Sequence, residues 1–97
     1  MKSARLLLPA ESEMIGAARY YEAQANGLGQ DFLRRLEAAI SDIREAPERW
    51  PIIQDEIRRR LILRFPYAIY YCDDPDEIVI LAVAHLKRHP NYWVSRK

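Results

Sequence analysis

The segment "IRRRLILRFPYAIYYCDDPDEIVILAVAH", residues 57–85, decides the fold of this chain. Its first part alternates with the two-residue period of a β-strand. That period predicts two opposite faces: Ile57, Arg59, Leu61 and Leu63, and Arg58, Arg60, Ile62 and Arg64. After Pro66, "YAIYYC" predicts a second strand, and the turn-forming "DDPDE" leads into a third, "IVILAVAH". Because the third strand is apolar on both faces, we expect it to be covered on both sides.

Two helices are predicted before these strands. "ARLLLP" predicts a short edge strand closed by Pro9. A helix follows over residues 10–24, with Glu11 and Glu13 in its first turn, where the helix dipole favours acids. "NGLGQ" separates it from a second helix that ends before Pro47. The apolar stripe of the second helix is Phe32, Leu36, Ile40 and Ile43. Residues 47–56, "PERWPIIQDE", predict a loop.

This order of elements predicts a single α+β domain over residues 1–97. The N-terminal edge strand and a helical hairpin would pack on one face of a small antiparallel β-sheet. The hairpin covers one face only, yet the last strand needs cover on both. We expect Tyr92 and Trp93 in the C-terminal tail to supply part of the second cover, and a partner protein to supply the rest.

Composition narrows the class of protein without naming a partner. The chain has 49% hydrophobic and 30% charged residues and a net charge of +1, which predicts a globular domain and excludes a polybasic protein that binds nucleic acid by charge alone. No apolar run reaches the roughly 18 residues of a membrane-spanning helix, and we expect no membrane partner. The apolar stretch at the start of the sequence is too short for a secretory signal, and the single Cys72 suits a reducing compartment. A cytoplasmic location is therefore expected.

Three groups of residues in this order carry a resemblance to a known family. They are "YYE…LG…F" in the hairpin, "RRRLILRFPYAIYY", and "ILAVAHLKRHPNYW..R" at the end. Together they resemble the RelE/ParE superfamily of toxins from bacterial type II toxin–antitoxin modules, and within it the branch described as plasmid stabilisation proteins. The resemblance implies a RelE/ParE-like fold and a toxin held inactive by a small cognate antitoxin whose flexible segment wraps around it.

The resemblance leaves the toxic activity open. One part of the superfamily cuts messenger RNA, usually on the ribosome, and another inhibits DNA gyrase without catalytic residues. A third hypothesis is a decayed toxin that only pairs with its antitoxin. A homodimer and a toxin–antitoxin hetero-oligomer are both compatible with the sequence.

The end of the last strand holds the candidate catalytic residues. Metal-independent RNA cleavage needs a base, an acid and fixed positive charge near the phosphate, and His85, Arg88 and Tyr92 could supply them. The alternative is structural. His85 would bond a loop carbonyl at the core edge, on the strand face of Val79, Leu81 and Val83, and the aromatic residues would seal the sheet. Leu86 stands where messenger-cleaving members often carry a basic residue, which weakens that assignment.

The arginine run is the candidate contact surface for phosphate or antitoxin. We assign that contact to four basic residues: Arg58, Arg60, Arg64 and Lys87. Arg59 lies on the apolar face and needs a partner, for which we expect Glu22 or Glu37 of the hairpin or an antitoxin carboxylate. His85 and His89 lack further ligands nearby, so neither a metal nor another cofactor is expected.

Overall fold

A computed structural model describes residues 1–88 and 91–96 of the chain. Two helices are present, α1 (Leu8–Gln24) and α2 (Leu28–Glu45). The strands are β1 (Ser3–Leu6), β2 (Ile52–Gln54), β3 (Ile57–Leu61), β4 (Tyr67–Asp73) and β5 (Glu77–His85). Short 3-10 turns follow α2 at Pro47–Arg49 and lie in the tail at Val94–Arg96.

The strands form one sheet in the order β1-β5-β4-β3-β2. The pairs β3–β4 and β4–β5 are antiparallel, as predicted. The unpredicted strand β2 is also antiparallel to β3, whereas β1 runs parallel to β5, so the sheet is mixed. The α+β class and the edge position of β1 are confirmed. The prediction of a loop over residues 47–56 is wrong in part, because Ile52 pairs with Arg58 in a strand too short to show alternation.

The hairpin turn depends on Glu22 and two glycines. Gly27 has a φ of 83°, in the left-handed region that favours glycine. Gly29 packs so closely that a Cβ would clash with the carbonyl oxygen of Ala18. The Glu22 carboxylate accepts the N–H groups of Gly27 at 2.9 Å and Gly29 at 3.0 Å. These contacts hold α1 against α2 and cap the start of α2.

One apolar core lies between the hairpin and the sheet. The α2 stripe supplies Phe32, Leu36 and Ile43, all buried, with Ile40 partly buried beside them. Tyr71 of β4 is also buried there and donates a hydrogen bond from its hydroxyl to the Pro47 carbonyl at 2.6 Å. Burial raises the pKa of the Tyr71 hydroxyl to about 12. The predicted packing of the hairpin on one face is therefore confirmed.

The C-terminal tail packs on the opposite face of the sheet. Trp93 is 2% exposed and stacks on Tyr70 of β4, with ring centroids 4.2 Å apart. Tyr92 and Val94 pack against the same cluster, whose strand residues include Cys72, Val79, Leu81 and Ala82. The tail thus covers much of the second face of the sheet. Tyr92 and Trp93 supply part of this cover, as predicted.

No helix among the described residues is both long enough and apolar enough to cross a membrane.

Candidate functional site

A β-bulge in β5 determines on which face of the sheet the candidate residue His85 lies. Tyr70 pairs with Ala82 while Tyr71 pairs with Ile80, so Leu81 is an extra residue in its strand. Beyond the bulge, Val83 belongs to the core under the hairpin, and Leu81 belongs to the cluster under the tail. His85 therefore shares the hairpin face with Val83. The prediction that it shares a face with Leu81 and Val79 is wrong, because strict alternation ignores the extra residue.

Glu13 of α1 is the centre of the site. Its side chain is only 12% exposed. One carboxylate oxygen accepts the Val83 N–H at 3.1 Å and the Arg96 guanidinium at 2.9 Å, and the other accepts the Tyr92 hydroxyl at 2.6 Å. Arg88 approaches the second oxygen at 3.7 Å. A single carboxylate thus joins α1, the bulged strand and the tail.

The Tyr92 ring lies close to two guanidinium groups. The Arg88 guanidinium carbon lies 4.0 Å from its ring centroid, and that of Arg96 lies 4.9 Å away. Burial, and then the hydrogen bond to Glu13, raise the pKa of the Tyr92 hydroxyl above its ordinary value. The hydroxyl is consequently a bound hydrogen-bond donor that releases its proton with difficulty.

His85 ends β5 beside a shallow cleft. Its Nδ1 accepts the backbone N–H of Lys87 at 3.0 Å, and its ring packs edge-on against Tyr67 at 5.1 Å. The structural alternative predicted a hydrogen bond from His85 to a loop carbonyl. The observed partner of His85 is instead the loop N–H of Lys87. His85 and Arg88 both line a cleft of about 160 Å³ with Glu13. His89 lies outside the described residues.

The structure therefore brings Arg88 and Tyr92 into contact with one acid, Glu13, and places His85 on the same cleft. Sequence reasoning missed this acid, because a helix predicted from residue 10 placed Glu13 in the first turn, where the helix dipole alone explains an acid. The helix begins at Leu8, so the first turn holds Glu11 and Glu13 lies in the second. Two hydrogen-bond donors in the tail, Tyr92 and Arg96, could have indicated Glu13. They lie next to the buried Trp93 in the chain and therefore need an acceptor near the sheet.

The arginine run divides between the two faces of the sheet. Arg60 faces the hairpin, pairs with Asp42 of α2, and lies over Trp50 with its guanidinium carbon 4.9 Å from the ring centroid. Arg58 donates to the Trp50 carbonyl at 2.6 Å and to the Glu48 carbonyl at 3.1 Å. Both side chains are engaged within the chain, so a contact with phosphate or antitoxin would add to these bonds or replace them.

Of the four candidate contact residues and Arg59, three keep their charged groups unengaged within the described ranges. Arg64 and Lys87 are exposed, and Arg59 is half-buried on the tail face, with no side-chain bond or ion pair to residues 1–88 or 91–96. The predicted pair of Arg59 with Glu22 or Glu37 does not form, because the hairpin packs on the opposite face and Glu22 binds the turn glycines.

Metal ligation finds no support in this arrangement. The described residues contain no group of three or more His, Cys, Asp or Glu side chains that could hold a metal ion. Glu13, the best-placed acid, already receives hydrogen bonds from Val83, Tyr92 and Arg96.

Comparison with known proteins identifies the family. Residues 5–90 match the model of a family described as the ParE toxin of the type II toxin–antitoxin system, parDE. No curated protein matches the chain. A solved structure titled "Chromosomal ParDE TA system from P. aeruginosa" is similar in fold, with a TM-score of 0.63 at 14% identity, and the match covers 88% of this chain and 96% of that one. This chain therefore belongs to the ParE toxin family of type II toxin–antitoxin systems.

Proposed function

We propose that this family member is a toxin that acts by binding a host protein such as DNA gyrase, without cleaving RNA, and that a cognate antitoxin neutralises it. The observation that carries the proposal is the position of Glu13 among His85, Arg88 and Tyr92. A target of this kind places the proposed action in the cytoplasm.

The charge at the candidate site opposes phosphate chemistry. Cleavage through the 2′-hydroxyl places a crowded, doubly charged phosphate beside fixed positive charge. Here the negative carboxylate of Glu13 lies among the guanidinium groups, with Arg96 bonded to both of its oxygens and Arg88 within 3.7 Å. A phosphate at this place would be repelled by Glu13 and would have to compete with it for the two arginines.

The proton-transfer groups are also engaged. The Tyr92 hydroxyl donates to Glu13, and the raised pKa of that hydroxyl makes it a poor acid. The His85 Nδ1 lone pair is used by the Lys87 N–H, which leaves Nε2 as the one ring nitrogen open to a ligand. These contacts favour packing and recognition over catalysis.

RNA cleavage is the second candidate, and one observation favours it. His85 and Arg88 border the same cleft, so a proton-transfer group and a cation lie side by side at the end of β5. A substrate that displaced Glu13 from Arg88 would meet both groups.

Controlled expression distinguishes the candidates. Cells expressing the wild-type chain, His85→Ala and Arg88→Ala would be followed for growth, messenger RNA integrity, protein synthesis and DNA damage signalling. We expect all three chains to stop growth with DNA damage signalling before translation falls. Early RNA cleavage that both substitutions abolish would overturn the binding mechanism, and harmless expression of the wild-type chain would indicate a decayed toxin. Two further features remain predictions. The first is a homodimer. The second is antitoxin contact through four basic residues: Arg58, Arg60, Arg64 and Lys87.

A further inference from the structure

Helix α1 carries large apolar residues on the face that points away from the sheet. Leu8 is 78% exposed and Ile15 is 39% exposed, and they lie on one stripe of the helix, about two turns apart. The opposite face of α1 is buried in the core. A helix that is apolar on two faces needs cover on both. We call the uncovered stripe, with its neighbours Glu11, Gly16 and Arg19, the outer face of α1.

Helix α2 has no such stripe, although it lies beside α1 in the same hairpin. Its large apolar residues are buried or partly buried. Its exposed positions hold six polar residues and one alanine: Gln30, Asp31, Arg34, Glu37, Ala38, Ser41 and Glu45. The exposed leucine and isoleucine are therefore a property of α1 and not of helical surfaces in this chain generally.

Gly16 is a second unusual feature of the outer face. It is exposed in the interior of α1, where glycine makes a helix less stable than alanine does. The fold does not require it, because a Cβ added at Gly16 would meet no atom within 4 Å. Ser12, one turn earlier, is also small and exposed. Small residues at this spacing allow the backbone of a second helix to approach closely.

Two opposite charges lie at equal distances on either side of Ile15. Glu11 precedes Ile15 by one turn and Arg19 follows it by one turn, each about 6 Å along the helix axis. Both side chains are exposed, and neither has a side-chain hydrogen bond or ion pair within residues 1–88 and 91–96. A second α1, turned end for end about Ile15, would place its Arg19 level with Glu11 of the first copy. The same contact would occur twice.

This charge pattern favours a second copy over other partners. The charges of Glu11 and Arg19 cancel, so the outer face lacks the single sign of charge that attracts an acidic or basic protein. Nucleic acid requires a basic surface and is disfavoured for the same reason. The outer face is instead complementary in charge to itself, because an antiparallel copy supplies a carboxylate for each guanidinium and a guanidinium for each carboxylate.

A hollow between α1 and α2 gives the exposed leucine a place to insert. It borders Arg19, has a volume of about 380 Å³, and is lined in part by Glu22 and Leu33. Leu8 lies as far before Ile15 as Glu22 lies after it. In the end-for-end arrangement, Leu8 of each copy is therefore level with the hollow of the other copy and can contact the apolar side chain of Leu33 there.

We propose that the chain forms a two-fold homodimer through the outer face of α1. The two α1 helices pack antiparallel and cross at Ile15 and Gly16. Glu11 of each copy pairs with Arg19 of the other, and Leu8 of each copy enters the hollow between the helices of the other. This dimer depends on the surface of α1 alone and is independent of the proposed toxic activity.

Charge reversal tests the proposed pairs. In sedimentation velocity, the wild-type chain should pass from monomer to dimer as its concentration rises. Glu11→Arg and Arg19→Glu each bring like charges together and should weaken association by roughly tenfold or more. An equal mixture of these two variants restores both pairs between unlike copies, so it should associate as the wild-type chain does. A wild-type chain that stays monomeric, or a mixture that fails to associate, would overturn the proposal.

Matched variants separate the outer face from the rest of the surface. Glu37→Arg and Arg64→Glu reverse exposed charges elsewhere and should leave association unchanged. Gly16→Gln should not lower the stability of the monomer, because glutamine favours a helix more than glycine does. Its longer side chain should nevertheless weaken association by roughly tenfold. Equal association of Gly16→Gln and the wild-type chain would show that the helices do not meet at Gly16 and would refute the arrangement.

Disulfide formation tests the antiparallel register. Ile15 faces its own copy at the two-fold axis, so Ile15→Cys should form a linked dimer on mild oxidation, since bridged Cα atoms lie within roughly 7 Å. The two copies of Leu8 would be about 21 Å apart, so Leu8→Cys should stay unlinked although Leu8 is the more exposed residue. The native Cys72 is 1% exposed and does not compete. Linkage of Leu8→Cys that equals or exceeds that of Ile15→Cys would overturn the proposed register.

Discussion

Glu13 on α1 accepts the backbone N–H of Val83 across the β5 bulge, at 3.1 Å. The bulge shifts the pairing of β5 with β4 between Ile80 and Ala82, and the side chain of Glu13 supplies an acceptor close to that irregularity. The same carboxylate binds Tyr92 and Arg96. One side chain therefore binds both the irregular strand and the tail.

Replacing Glu13 tests this dependence. We expect Glu13→Ala to lower the free energy of unfolding by about 2–3 kcal/mol, because it removes the acceptor of the buried Val83 N–H and of the half-buried Tyr92 and Arg96 donors. Urea unfolding would measure the loss. Glu11→Ala is the matched control, since Glu11 is exposed in the first turn of the same helix, and its loss should cost less than about 1 kcal/mol. Equal losses for the two variants would contradict the role of Glu13.

Removing Trp93 should uncover the second face of the sheet. We expect Trp93→Ala to destabilise the chain by about 3 kcal/mol, because a buried aromatic side chain and its stack on Tyr70 are lost. Binding of an apolar fluorescent dye should rise in this variant. Trp93→Phe, which keeps an aromatic ring, should recover much of the stability. No rise in dye binding would mean that another segment covers the face.

The raised pKa of the Tyr71 hydroxyl predicts a loss of stability at alkaline pH. The folded-state pKa of its hydroxyl is raised to about 12 by burial, above the ordinary value of 10.0. Its contribution is therefore complete below pH 10 and is lost as the pH rises toward 12, by about 2 kcal/mol in total. Unfolding followed by tryptophan fluorescence between pH 9 and 12 would measure this slope. Tyr71→Phe should reduce the slope, and an unchanged slope would exclude Tyr71 as its source.

Two neighbouring arginines should differ in their effect on stability. Arg60→Ala should cost about 1–2 kcal/mol, because it breaks the pair with Asp42 and the contact with Trp50. Arg59→Ala should change stability by less than about 0.5 kcal/mol, because its guanidinium has no bonded partner in the described ranges. Thermal unfolding of both variants provides the comparison, and a larger loss for Arg59→Ala would contradict the assignment.

The helices and the long strands are predictable from sequence because their signals are local. The stripe of Phe32, Leu36 and Ile43 has the helical period, and the break at Pro47 has a steric cause. Strand β2 has only three residues, too few to show a period. The parallel pairing of β1 with β5 and the ion pair between Arg60 and Asp42 join residues that are far apart in the chain. Neither contact therefore leaves a local pattern in the sequence.

The site was partly predictable. His85, Arg88 and Tyr92 lie close together in the sequence, and the structure brings them to the same end of the sheet. Glu13, the partner of Arg88 and Tyr92, is separated from Tyr92 by 79 positions, and the bulge that turns His85 toward the hairpin depends on strand pairing. Periodicity assumes a regular strand, so it assigned His85 to the opposite face.

The pairing of β1 with β5 has a consequence for synthesis on the ribosome. Ser3 pairs with Glu77 and Leu6 with Ile80, so the first strand has no neighbour until the last one has been translated. Glu13 likewise waits for Arg96. A nascent chain can form its two helices early but can complete the sheet only after residues 77–96 have left the exit tunnel. Products terminated before β5 would therefore lack the strand that joins β1 to β4 and could not complete the sheet.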